Sequence, residues 1–119
     1  MAFRGSRGFA LGVLILAAAA CSSAGDETPQ AAAPSPIEIK LFSFKPSPIV
    51  VRTGQTIRWA QRDNTMHTVT SGVPGSPDGR FQSEGLAEGA TFSFTFTSAG
   101  TFPYFCSIHD SMRGEVRVT

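Results

Sequence analysis

Cys106, His109 and Met112 stand near the end of the chain at the spacing C-x2-H-x2-M. A thiol, an imidazole and a thioether are thereby packed into one short loop: a soft sulfur, a borderline nitrogen and a weak sulfur donor. With one more imidazole added, that mixture suits a copper ion that must cycle between Cu(I) and Cu(II). The 119-residue chain has one other histidine, His67. The residue types therefore predict a mononuclear site of the blue-copper, electron-transfer kind, holding one copper ion between His67, Cys106, His109 and Met112. Singly, each residue has an ordinary structural explanation: a buried thiol behaves as a small hydrophobe and a methionine fills gaps. Jointly, the cysteine, both histidines and the methionine need one scaffold to gather them.

That scaffold reads as antiparallel β structure. Ile37, Ile39 and Leu41 alternate with Glu38 and Lys40, the pattern of a half-buried strand. Phe42, Phe44, Ile49 and Val51 continue the apolar character around Pro46 and Pro48, which mark an edge or a strand break. Thr53-Gly54 forms a turn, after which Ile57 and Trp59 share one face and Arg58 the other. Residues 67–71 read as the next strand and 72–79, rich in glycine and proline, as a loop. Thr91 to Thr97 alternates strictly and puts Phe92, Phe94 and Phe96 on one face. Ala99-Gly100 turns the chain, and Phe102, Tyr104 and Cys106 then share a face. Val116 and Val118 alternate with Glu115 and Arg117 in a last strand after Gly114. Short strands and frequent turns predict an all-β sandwich. Its core should hold Ile57, Trp59, Phe92, Phe94, Phe96, Val116 and Val118.

The first 36 residues read differently. Arg4 and Arg7 precede the apolar run from Leu11 to Ala20, the layout of a secretory signal over residues 1–20. Ala18-Ala19-Ala20-Cys21 resembles a bacterial lipobox, although Ala18 stands where leucine is usual. That resemblance implies cleavage before Cys21, a lipid on it and an extracytoplasmic or periplasmic domain anchored to the membrane. Ordinary cleavage within the alanine run would instead leave a soluble secreted protein. Residues 21–36 lack large apolar side chains and read as a tether. The folded domain is then 37–119. Cys106 is the one cysteine left in it, and outside the cytoplasm a free thiol oxidises unless something such as a metal occupies it. Removing Arg4 and Arg7 from the ten basic side chains leaves eight against nine acidic ones, a balance that gives no support to nucleic-acid binding.

The stretch Tyr104-Phe105-Cys106-Ser107-Ile108-His109-Asp110-Ser111-Met112-Arg113-Gly114-Glu115-Val116 resembles the ligand loop of the plastocyanin/amicyanin group of cupredoxins. The spacing is closest to amicyanin, since plastocyanins have a longer gap before the methionine. Asn64-Thr65-Met66-His67-Thr68-Val69 is similar as well, as is Gly79-Arg80-Phe81 leading into Gly89-Ala90-Thr91-Phe92-Ser93-Phe94. The resemblance spans 37–119 and implies a Greek-key cupredoxin sandwich. It implies that Cys106 supplies a thiolate, His67 and His109 the imidazoles, and Met112 a weak axial sulfur. His109 would reach the surface through an apolar patch, with Met66, Pro74 and Ile108 as candidate members, and serve as the electron port.

Three positions depart from the family pattern: Thr68 for asparagine, Ile108 for proline and Asp110 for proline. The Thr68 N–H is expected to donate to the Cys106 sulfur, and its hydroxyl to tie to Ser107. The Ile108 N–H is expected to add a second hydrogen bond to that sulfur. The implied function is a monomeric single-electron carrier between haem or copper redox proteins. Copper storage or delivery is the alternative. A Cys–His enzyme is disfavoured, because nothing marks an oxyanion hole or a third orienting group.

Overall fold

A computed structural model describes residue 12 and residues 33–119. The expected signal, Cys21 and most of the tether lie outside the described residues. Among the described residues there is no helix, and hence none long and apolar enough to cross a membrane.

Nine strands follow one another: β1 (Ile37–Lys40), β2 (Ser43–Lys45), β3 (Ile49–Val51), β4 (Thr56–Gln61), β5 (Thr70–Val73), β6 (Ser76–Gln82), β7 (Thr91–Thr95), β8 (Gly100–Phe105) and β9 (Arg113–Val118). They form a four-stranded sheet in the order β2-β1-β4-β7 and a five-stranded sheet in the order β3-β9-β8-β5-β6. The pairs β1–β4 and β3–β9 are parallel and the rest antiparallel. Pro46 and Pro48 do what a proline-broken strand does. β2 edges one sheet, β3 edges the other, and the prolines lie where the chain passes between them.

The alternation read from the sequence sets the inner faces. Ile37, Ile39, Ile57 and Trp59 from the first sheet are fully buried, against Tyr104, Val116 and Val118 from the second. Trp59 sits among aromatic rings, with centroids 5.4 Å from Tyr104, 5.6 Å from Phe92 and 5.9 Å from Phe81. Phe96 is buried as expected, whereas Phe92 and Phe94 are only half-buried because β7 edges its sheet. Gly114 lies within β9 rather than before it, and it must be glycine. A Cβ there would stand 2.3 Å from the Tyr104 hydroxyl. Among the described residues, neither that hydroxyl nor the Trp59 indole N–H, both buried, has a hydrogen-bond partner of good geometry. Burial pushes the Tyr104 phenol far up, only partly offset by the nearby indole.

Three local expectations are corrected. Residues 67–71 are not one strand: β5 starts at Thr70, and His67 makes only an isolated bridge to Leu86. Residues 72–79 are not a loop. Pro74-Gly75 forms a tight turn with Gly75 at φ 81°, and β5 and β6 pair on either side of it. Pro77 fits because β6 is an edge strand. Leu41 does not continue the buried face of β1. Leu41 and Phe42 have φ of 51° and 53° and form a left-handed hairpin tip, with Leu41 74% exposed.

Candidate metal centre

Four connections gather at one end of the sandwich: the β1–β2 tip, the β4–β5 and β6–β7 connections, and the β8–β9 loop. Register brings them together. Ile39 pairs with Gln61, Ala60 with Thr91, and Thr70 with Phe105, the residue before Cys106. The β8–β9 loop is closed by the Cys106 N–H donating to the Met112 carbonyl (3.0 Å) and the Met112 N–H donating to the His109 carbonyl (2.9 Å). His67 is fixed from the other side, exchanging backbone hydrogen bonds of 3.1 and 2.7 Å with Leu86.

His67, Cys106 and His109 offer one donor atom each, all within 4.8 Å of one another. Cys106 Sγ lies 3.8 Å from His67 Nδ1 and 3.9 Å from His109 Nδ1. Ligand bonds of about 2.0 Å to nitrogen and 2.3 Å to thiolate, roughly 120° apart, would separate such atoms by about 3.7 Å. The spacing and the donor chemistry therefore fit one metal ion of the copper kind. Cys106 and His67 are fully buried and Met112 is 2% exposed, while His109 is half-buried.

The surroundings prepare these donors. His67 Nε2 donates to Asp63 Oδ2 at 2.9 Å, which leaves Nδ1 with its lone pair toward Cys106. Burial works to raise the Asp63 pKa. The N–H groups of Phe42 and Leu41 and the His67 ring outweigh it and hold the carboxyl below the usual range. The Thr68 N–H donates to Cys106 Sγ at 3.4 Å. The Thr68 hydroxyl accepts the Ser107 N–H at 2.8 Å and meets the Ser107 hydroxyl at 2.8 Å, as the sequence led one to expect. Ile108 departs from expectation. Thr68 supplies the one backbone N–H that reaches this sulfur among the described residues, so the expected second bond from Ile108 is not made. Ile108 is instead half exposed at the loop tip.

Around the donors, Met66 and Ile108 expose 51% and 50% of their surface, consistent with an apolar patch. Pro74 is not part of it. It lies four residues along from Thr70, which pairs beside Cys106, or about 13 Å away at 3.3 Å per residue. Leu41 and Phe42 stand there instead. The Phe42 ring centroid lies 5.2 Å, edge-on, from both His67 and His109.

Two polar residues of the site were not anticipated. Asp63 is one and Gln61 the other. Gln61 is fully buried, and its side-chain amide donates to the carbonyls of Asp63 (3.0 Å), Thr65 (2.6 Å) and Leu86 (3.2 Å) while accepting the Asp63 N–H (2.6 Å). The available signal was phase. Gln61 follows Ile57 and Trp59 at every second position, so it had to point inward as a polar group needing partners.

Comparison with known proteins agrees with this geometry. The cupredoxin-like domain family matches residues 9–118. The chain is 29% identical to amicyanin from Paracoccus versutus over 99 residues, covering 77% of this chain and 74% of that protein. It is 30% identical to plastocyanin from Scenedesmus fuscus over 84 residues, 63% of this chain and 85% of that one. Among solved structures, a purple cupredoxin from Nitrosopumilus maritimus aligns with a TM-score of 0.68 at 26% identity, over 72% of this chain and all of that one.

Proposed function

The chain belongs to the cupredoxin-like domain family, its cofactor is a copper ion, and from these we propose that it carries single electrons between redox proteins outside the cytoplasm. In this reading His67, Cys106 and His109 would hold the ion, with the Met112 thioether as a fourth, weak donor. One observation carries the reading: a thiol and two imidazoles from separate parts of the chain sit within 4.8 Å, already oriented by the protein.

When bound, copper would supply a reversible one-electron couple, and a donor set of two imidazoles, a thiolate and a thioether would suit both of its oxidation states. The chain's own residues do the rest. The Thr68 N–H donates to the Cys106 sulfur and fixes its position in the site. Asp63 keeps the His67 ring in one orientation and one tautomer. Because backbone bonds tie His67 to Leu86 and close the Cys106–Met112 loop, the donors have little freedom to rearrange as charge changes. His109 is the half-buried member of the cluster, bordered by exposed apolar side chains, and gives electrons the shortest route to a docked partner.

The deep burial of Cys106, His67 and Met112 speaks against copper storage or delivery, which needs ligands an acceptor can reach. A lipid on Cys21 would hold the domain at a membrane surface as a monomer. The discriminating experiment pairs voltammetry of the copper-loaded protein with stopped-flow mixing against a soluble c-type cytochrome. A reversible one-electron wave and electron exchange faster than copper loss are expected. Copper passing to an apo-acceptor faster than electrons pass to the cytochrome would favour delivery and overturn the proposal.

A further inference from the structure

The β1–β2 tip carries backbone conformations that its side chains do not favour. Leu41 and Phe42 both have left-handed φ, 51° and 53°, where a two-residue hairpin would ordinarily use asparagine and glycine. Consecutive left-handed residues with side chains persist only where the surroundings over-determine them, and such strain gathers at functional sites. Here the determining group is one carboxylate. Asp63 Oδ1 accepts the Leu41 N–H at 2.7 Å, and Oδ2 accepts the Phe42 N–H at 2.9 Å. Oδ2 also receives His67 Nε2 at 2.9 Å. Asp63 itself is set by Gln61, whose side chain grips both its N–H and its carbonyl. The consequence lies 5.2 Å from two imidazoles: the Phe42 ring stands edge-on to His67 and to His109, while Leu41 is turned out to 74% exposure.

We propose that Asp63 is a positioning residue with two coupled outputs: it orients His67, and by holding the Leu41–Phe42 tip in its left-handed turn it sets Phe42 as a cover over both imidazoles. No other contact of the tip explains the conformation so directly. Among the described residues, and apart from the Ser43 hydroxyl on the Leu41 carbonyl (3.3 Å), the hydrogen bonds at the tip outside the sheet end on this carboxylate. The same clamp sets the half-exposed Phe42 ring against His109, so the apolar surface at that histidine depends on a residue that neither holds the ion nor faces the partner. Access to the donors and the shape of the docking surface are thus set through one group.

The functional consequence rests on the copper reading, but the clamp itself is testable without metal. Amide exchange of Leu41 and Phe42, and ring-to-ring nuclear Overhauser contacts from Phe42 to His67 and His109, are measured by NMR on the copper-free full chain. Wild type, D63A, D63N and F42A are compared. In D63A, protection of the two amides should fall by roughly tenfold or more, each having lost a bond to a charged acceptor, and the Phe42 contacts should vanish. D63N keeps one oxygen able to serve Phe42 and His67 and should lose protection at Leu41 alone. It remains informative if D63A does not fold. L41N in the D63A background should restore the Phe42 contacts in part, because asparagine tolerates the left-handed region, and a merely structural role for Asp63 would show no such rescue. In loaded protein, copper release to a chelator should rise roughly tenfold in F42A and at least as much in D63A, which also frees the His67 ring, with the double variant no faster than D63A, the mark of one shared pathway. Unchanged protection and unchanged Phe42 contacts in D63A, or additive release in the double variant, would overturn the inference. Failure to bind copper would instead sink the functional reading and leave the NMR result standing.

Discussion

Replacing Thr68 by valine removes one hydroxyl and little volume, and the structure says where that hydroxyl goes. It accepts the Ser107 N–H at 2.8 Å, pairs with the Ser107 hydroxyl at 2.8 Å and lies 3.2 Å from the Thr70 hydroxyl. The Thr70 contact can be replaced by rotation of Thr70. The two bonds to Ser107 cannot, and they join the His67 segment to the Cys106 loop across 39 positions of sequence. Each is worth about 0.5–1.5 kcal/mol net, and Ser107 is exposed enough to recover water, so the loss should total about 2 kcal/mol. For a domain of this size that lowers Tm by about 8–16 °C. Urea denaturation of the copper-free protein should show the midpoint falling at constant m. T68S, which keeps the hydroxyl and loses a methyl, should lose less. The backbone N–H to Cys106 Sγ survives in both, so neither should abolish copper binding. A T68V midpoint within about 0.5 kcal/mol of wild type, or T68S as unstable as T68V, would refute the hydroxyl bridge as the link.

Three further outcomes follow from the same structure. G114A should be among the most damaging single changes, costing about 3 kcal/mol or failing to fold, because its Cβ would run into the Tyr104 ring at Cζ, and thermal melts showing it near wild type would contradict the close approach. Q61L should cost about 2–4 kcal/mol in urea by stripping partners from the buried turn at 61–67, and a near-neutral result would mean that water replaces the amide. The Asp78 carboxyl is held below the ordinary carboxylate range chiefly by the Ser71 hydroxyl, against burial and with help from Arg80. Its stabilisation is therefore complete above that range and lost as pH falls through the folded value; the gap between wild type and D78N should close on acidification below about pH 4, and a gap widening there would contradict the assignment.

What the sequence made legible was whatever depends on period and on scarce residue types. Ile57 and Trp59 faced inward because alternation has only two faces, and Cys106, His67 and His109 converged because few alternatives exist in the chain. Composition misled where pairing overrides it. The glycines and prolines of 72–79 look like a loop, yet Pro77 loses nothing on an edge strand and Gly72 admits a close approach, its would-be Cβ lying 2.6 Å from the Ser76 carbonyl. The left-handed tip at Leu41-Phe42 was invisible for a different reason. Neither residue type advertises positive φ, and the group that imposes it, Asp63, is more than twenty positions away. The Ile108 hydrogen bond failed because a substitution that restores an N–H does not also aim it.

The most direct test of the account is titration of the purified copper-free protein with Cu(II), followed by visible absorption and electron paramagnetic resonance. The predicted result is an intense blue band saturating at one copper per chain with a narrow hyperfine splitting, absent in C106S. A pale complex whose spectrum is the same in wild type and C106S would mean that the Cys106 thiolate does not hold the metal, and the electron-transfer account would fall with it.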